Sequence, residues 1–228
     1  MKVRQVEVTD SDRISAQIFF QALCQFYDLS EAQALDMFAR TGDLTVSNYK
    51  PWVKEIDCWE LNPEHESALR ALDVNDIKIG CSYKTMEECE KQYDLIVIDT
   101  PQGIHSDWQG VPQVEHFGVL NKVAKLMKDR CLIVLYVNMY PYNKEEVGSV
   151  GYDEYDEYNF EDWMEVRKDF YEEISPITEA TALAAYELFF EAHDYVVKSV
   201  MLIPCLSDTG GDPYAFRVAL DLQSISGV

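Results

Sequence analysis

Apolar residues Ile14, Ile18, Phe19, Ala22, Leu23 and Phe26 recur at helical spacing and predict a helix over 13–28. Seven shorter apolar runs follow, at 34–38, 55–61, 76–80, 93–99, 131–138, 196–203 and 214–222, and each reads as a strand. Between them lie helical patterns. One begins at Pro63 and continues over 64–72; the others cover 86–92, 113–129 and 177–193. The run at 93–99 is nearly continuous, as expected of a central strand buried on both faces. Alternating strands and helices predict an α/β fold, a doubly wound, Rossmann-like seven-stranded sheet. Only residues 204–213 separate the last two strands, too short a link for a helical crossover, so the last strand is expected to run antiparallel.

A chain of 228 residues with 47% hydrophobic content suits one domain spanning 1–228. One segment interrupts the alternation. Residues 141–173 hold twelve Asp or Glu against three Lys or Arg, −9 of the net −22. They also carry Tyr142, Tyr152, Tyr155, Tyr158, Phe160, Trp163, Phe170 and Tyr171, more aromatics than a disordered tract usually holds. This is an expected ordered insertion, helical over 161–173, serving as a substrate-selecting lid, a partner surface or a solvated flap.

The net charge of −22 counts against a phosphate backbone held by this chain alone, because such binding needs a cationic face. Solubility, or a saline or crowded setting, accounts for the charge without a partner. No run approaches the roughly 20 apolar residues that cross a bilayer, and the first residues lack the apolar core of a signal peptide. The six cysteines, at 24, 58, 81, 89, 131 and 205, include no closely spaced pair, and four histidines complete no zinc pattern. Buried reduced thiols, no metal and a cytoplasmic setting are the expectation.

Three apolar runs end in polar or acidic turns: Asp36 in Ala34-Leu35-Asp36-Met37-Phe38-Ala39-Arg40-Thr41-Gly42-Asp43, Glu60 in Trp59-Glu60-Leu61-Asn62-Pro63, and Asp99 in Asp99-Thr100-Pro101-Gln102. Parallel strands would bring these turns to one carboxyl edge, where open α/β sheets bind ligands. Over most of 30–222, this order resembles the class I S-adenosylmethionine-dependent methyltransferases. It is most similar to the amino-methyltransferases with D-x-F-A-G-x-G as first motif and [DNS]-P-P-[YFW] as fourth. Asp36, Phe38, Ala39, Thr41 and Gly42 match the first motif, with Arg40 in place of its first glycine. The resemblance implies S-adenosylmethionine as cofactor, held by these residues, by Glu60 on the ribose hydroxyls with Leu61 beside it, and by Cys81 and Ser82 where the family often has an adenine-binding Asp. A carboxylate suits two vicinal hydroxyls because it only accepts.

The same resemblance makes Asp99, Thr100, Pro101 and Gln102 the catalytic turn that orients an acceptor amine. Thr100 replaces a proline and Gln102 the base-stacking aromatic, a role Trp108 or Phe117 could take over. The implied activity is methyl transfer to an amino group of a base or to another acceptor, a small metabolite or protein included. The rival expectation is a catalytically silent methyltransferase fold, a binding or regulatory module whose acidic surface mimics nucleic acid, as in phage and other mobile elements. Asp36 and Asp99 would then cap turns, Glu60 would cap a helix start, and His105 would be a solvated loop histidine rather than a base.

Overall fold

The computed structural model describes residues 10–99, 104–106, 109–139, 160–172, 176–206 and 213–225. In chain order the elements are α1 (Asp10–Phe26), β1 (Gln33–Asp36), α2 (Val46–Tyr49), β2 (Glu55–Glu60), α3 (Glu66–Ala71), β3 (Asp76–Ile79), α4 (Ser82–Glu88) and β4 (Tyr93–Ile98). A short hairpin follows, β5 (Ile104–Ser106) and β6 (Pro112–Val114), then α5 (Phe117–Val123) and β7 (Met127–Asn138). The chain closes with α6 (Phe160–Tyr171), α7 (Glu179–Glu191), β8 (Tyr195–Leu206) and β9 (Pro213–Ser224).

The main sheet has seven strands in the order β3-β2-β1-β4-β7-β9-β8. The pairs β1–β2, β1–β4, β2–β3 and β4–β7 are parallel, and β9 runs antiparallel between β7 and β8. The doubly wound sheet and its antiparallel last strand are therefore as the apolar pattern predicts. Strand order reverses between β1 and β4, so the crevice at their carboxyl ends is the topological switch point.

Side chains alternate across the sheet. Leu35, Ile96, Ile98, Ile133 and Leu135 join a core with Phe117, Leu120, Tyr186 and Phe190 on the face of α5 and α7. Ala34, Leu95, Val97, Leu132 and Val134 face the other way, against Phe19, Phe20 and Leu23 of α1. The period-2 alternation buries both faces because helices cover both. All six cysteines are free; Cys58, Cys89, Cys131 and Cys205 are buried, and Cys24 and Cys81 are half-buried.

Two helices differ from expectation. The pattern over 113–129 is divided: 112–114 pairs with 104–106, Glu115 turns the chain at φ +44°, and β7 already starts at Met127. Val114, Phe117, Leu120, Val123 and Met127 of that pattern are buried all the same, and Ala124 is half-buried against the same core. Helix α4 begins at Ser82 rather than near Met86; the Ser82 hydroxyl donates to the Met37 carbonyl at 2.5 Å and ties its first turn to the end of β1. Within the acidic insertion, the expected helix is present as α6, while the rest of 141–159 lies outside the described residues.

Gly42 holds φ +76°, and a Cβ there would run into Leu72 Cδ1 and lie 3.1 Å from Leu69 Cδ2. Left-handed backbone and crowding both penalise a side chain. Gly42→Ala is expected to lower unfolding free energy by about 1–3 kcal/mol in urea titrations.

Candidate functional site at the carboxyl edge

The turn after β1 is built by backbone hydrogen bonds. Met37 N–H donates to Val97 O at 3.1 Å, Ala39 N–H to Trp59 O at 3.0 Å, and Gly42 N–H to Ala39 O at 2.8 Å. Arg40 takes φ +51°, a conformation glycine adopts freely and arginine rarely does. Its N–H donates to Glu60 Oε2 at 2.6 Å. Glu60 Oε1 accepts from Asn62 N–H at 2.7 Å and lies 3.2 Å from His65 Nδ1. The buried carboxylate at the end of β2 is thus fixed by its own turn and by the β1 turn. An ionised carboxylate has about four lone-pair sites, so three such contacts orient it without exhausting it.

Apolar side chains lie at the neighbouring strand ends and turns. Leu61 is 40% exposed just past β2, and Ile79 37% exposed at the end of β3, directly across from Glu60 in the β2–β3 register. Phe38 and Cys81 are half-buried against the core. Ser82 is buried, its hydroxyl engaged by Met37. Thr41 is half-buried and donates to Asp43.

Asp36 is 1% exposed, and its Oδ2 accepts from Thr45 Oγ1 at 2.6 Å and Tyr49 OH at 3.2 Å. Burial pushes its pKa up to about 7; the Thr45 hydrogen bond opposes the rise and the nearby Asp99 charge adds to it. Its side chain braces the β1 turn from beneath.

Asp99, just past β4, meets a partner from the far end of the chain. Arg217 of β9 is fully buried and donates Nε to Asp99 Oδ1 at 2.8 Å and Nη2 to Oδ2 at 3.2 Å. Its Nη1 reaches Ser15 Oγ of α1 at 2.7 Å and Cys205 Sγ of β8 at 3.4 Å, and the guanidinium lies 4.8 Å from the Tyr136 ring centroid. Burial alone would lower the Arg217 pKa, but the Asp99 carboxylate overrides it and raises it. Asp36, Glu60 and Asp99 therefore share one sheet edge, each tied to protein groups. Thr100, Pro101, Gln102 and Trp108 lie outside the described residues, as does the His105 side chain.

The residue pattern did not reveal Arg217, nor a second polar group beside α5. There Glu115 Oε1 accepts from Trp163 Nε1 at 3.1 Å and from Arg167 Nη1, while Arg167 Nη2 donates to Asn138 O at 2.9 Å, at the carboxyl end of β7. His116 Nε2 pairs with Tyr186 OH at 2.6 Å, and Tyr186 OH with Tyr171 OH at 3.0 Å. Burial raises the Glu115 pKa against the pull of Arg167; burial, with the Arg167 charge, lowers that of His116 to about 3. A charge inside an apolar strand, as at Arg217, is the sequence signal that could have pointed to a buried partner.

No family model matches the sequence, and no curated protein matches it. Solved structures do resemble it. TYW2 from M. jannaschii, in complex with AdoMet, is 14% identical with a TM-score of 0.52 over 97% of this chain and 80% of that one. PH1948 from Pyrococcus horikoshii, described as an RNA methyltransferase, is 14% identical with a TM-score of 0.53 over 98% and 94%. SMU.776, described as a methyltransferase and complexed with SAH, is 10% identical with a TM-score of 0.60; 95% of this chain covers 52% of that protein. The chain has the class I methyltransferase fold.

Breaking the buried pair should be severe: Arg217→Met is expected to cost about 3–5 kcal/mol in denaturant titrations, and adding Asp99→Leu to restore much of it, because an apolar pair leaves no lone buried charge. Asp36 has a folded pKa above its unfolded one, so the folded state holds the extra proton. Its stabilising contribution is full below about pH 4 and is lost as pH rises to about 7. Asp36→Asn should therefore flatten the fall in melting temperature between pH 4 and pH 7 relative to wild type.

Proposed function

We propose that the chain binds S-adenosylmethionine at the carboxyl edge and serves as a methyltransferase. The observation that carries this reading is Glu60: a buried carboxylate held by two backbone N–H groups where the β1 and β2 turns meet, one strand from the β1–β4 switch point of a methyltransferase fold. Its remaining lone-pair capacity fits vicinal ribose hydroxyls. Leu61, Ile79, Phe38 and Cys81 offer apolar surface beside it for a planar base. Asp36, Ala39, Thr41 and Gly42 form the turn against which the cofactor would lie, with Ser82 anchoring α4 to that turn. When bound, S-adenosylmethionine supplies an electrophilic methyl group, so the protein's task is to hold, orient and desolvate. Asp99, pinned by Arg217, fixes where the chain leaves β4 and so where Thr100, Pro101 and Gln102 begin. The description of PH1948 favours an RNA acceptor; the net charge of −22 favours a small molecule or a protein.

A second reading is a silent fold used for binding, and specific features favour it. Arginine stands where glycine is expected, and both Asp99 oxygens are taken by Arg217. Calorimetry with S-adenosylmethionine and S-adenosylhomocysteine separates the two. The first reading expects micromolar binding that Glu60→Ala weakens about 10–100-fold, the worth of hydrogen bonds to a charged acceptor, with circular dichroism unchanged. No heat signal at millimolar ligand leaves only the silent fold.

A further inference from the structure

We propose that the outward face of α1 is the contact surface of a homodimer, in which a second copy of this chain packs its own α1 across a twofold axis. The contact is independent of the methyltransferase reading.

Fourteen successive residues, 14–27, hold no Asp, Glu, Lys or Arg in a chain that is 26% charged. Six of them are exposed all the same: Ile14, Gln17, Ile18, Gln21, Gln25 and Phe26. Arg13, just before them, is already paired with Asp43 at 2.8 Å. The other long helices present ordinary solvated faces. Helix α6 exposes Glu161, Glu165 and Asp169, and α7 exposes Glu179, Glu187 and Glu191. Leu188 of α7 is 64% exposed, but it stands among those acids as a scattered surface leucine does. Ile14, Ile18 and Phe26, at 58%, 51% and 75%, stand together in the uncharged stretch.

Ile14, Ile18, Ala22 and Phe26 recur every four residues and form one ridge. Ridges of this spacing interdigitate in the commonest helix packing. This one is self-complementary. A twofold axis crossing it midway, with the helices antiparallel, brings Ile18 to the partner's Ala22 and turns Ile14 toward the partner's Phe26. A large side chain then meets a small one at the centre, in the isologous contact of a two-copy assembly. The charge pattern selects the occupant. A cationic partner would find its complement on the acidic faces of α6 and α7. A strongly acidic partner is accepted only where neither surface carries charge, and a second copy, at −22, is such a partner. Strand pairing is not the mode of contact. Edge strand β8 lies beside α1 through the Tyr27–Ser199 and Ser15–Cys205 contacts, but a bulge between Val197 and Ser199, the exposed Lys198 and the exposed Pro204 blunt it. A single helix ridge buries less than the roughly 800 Å² per partner of a stable dimer, so association is weak and concentration-dependent. Repulsion between two copies at −22 opposes it, and salt screens that repulsion. Salt therefore tightens this dimer, whereas it would loosen a complex with a cationic partner.

The test is sedimentation velocity on the full chain. Over about 5–500 µM protein it is expected to show a monomer–dimer equilibrium, about tenfold tighter in about 0.5 M than in about 0.05 M sodium chloride. Ile18→Glu sets two carboxylates near the twofold axis and should weaken association by about tenfold or more. Leu188→Glu, as exposed but off the ridge, should leave it unchanged. Should Ile18→Glu fail to fold, isoleucine δ1-methyl NMR of the wild-type chain decides: the Ile14 and Ile18 signals move with protein concentration, and that of the buried Ile133 does not. A chain that stays monomeric at the highest concentration in high salt overturns the proposal, even if another protein is found on the ridge. So does a dimer that Ile18→Glu leaves intact, or one that salt dissociates.

Discussion

The Asp99–Arg217 pair is the constraint on which the architecture turns. Its two residues stand 118 positions apart, one past the central strand β4 and one in the last strand β9. Through Ser15, Cys205 and the Tyr136 ring, the same guanidinium also meets α1, β8 and β7. A fully buried arginine is tolerated only when its fork is matched, and here a bidentate carboxylate, a hydroxyl and an aromatic face do so. Apolar packing alone would let β9 slide along β7, since its inward residues, Phe216, Val218 and Leu220, are similar in kind. A misregistered Arg217 would lose its partner, so the pair sets the register of the antiparallel end of the sheet. It also fixes the negative charge whose proximity helps hold the Asp36 proton.

The other end of the crevice depends on Glu60 in a similar way, with a different outcome. Its partners are mostly backbone N–H groups from Arg40 and Asn62, so the two turns are fixed before any ligand arrives. Gly42 then lets the chain pass close under Leu69 and Leu72 of the neighbouring helical turn. A ligand meeting Glu60 would not have to order the loop, the usual penalty of binding at a flexible site. Preorganisation of this kind is compatible with both a working enzyme and a silent binder; only what sits across from it distinguishes them.

The sheet was legible in the sequence because each strand is a local pattern. The runs at 34–38, 55–61 and 93–99 carry their burial in consecutive residues, and the short 204–213 link forces the antiparallel turn. The acids that end β1, β2 and β4 were legible for the same reason, since a strand's end marks the edge. The β5–β6 hairpin was not, because strands of three residues are shorter than any periodicity can resolve. Nor were Arg217 with Asp99, or Arg167 with Glu115, the latter 52 residues apart. Pairings across the fold leave no spacing rule, only the oddity of a charge on an otherwise apolar face.

That oddity is clearest on α6. Trp163, Arg167 and Tyr171 recur every four residues on its buried face, while Glu161, Glu165, Lys168, Asp169 and Glu172 are exposed. In a segment with twelve acids and three bases, one of the few cations is turned inward. Were solubility its whole purpose, a leucine at Arg167 would pack the helix without the desolvation cost of a guanidinium. Placing the arginine inside neutralises Glu115 and leaves the outer face more negative. Polyanions are then repelled from the outside, while the interior stays neutral and polar. The segment thus keeps its one buried cation balanced by a buried acid and turns its surplus negative charge to the solvent.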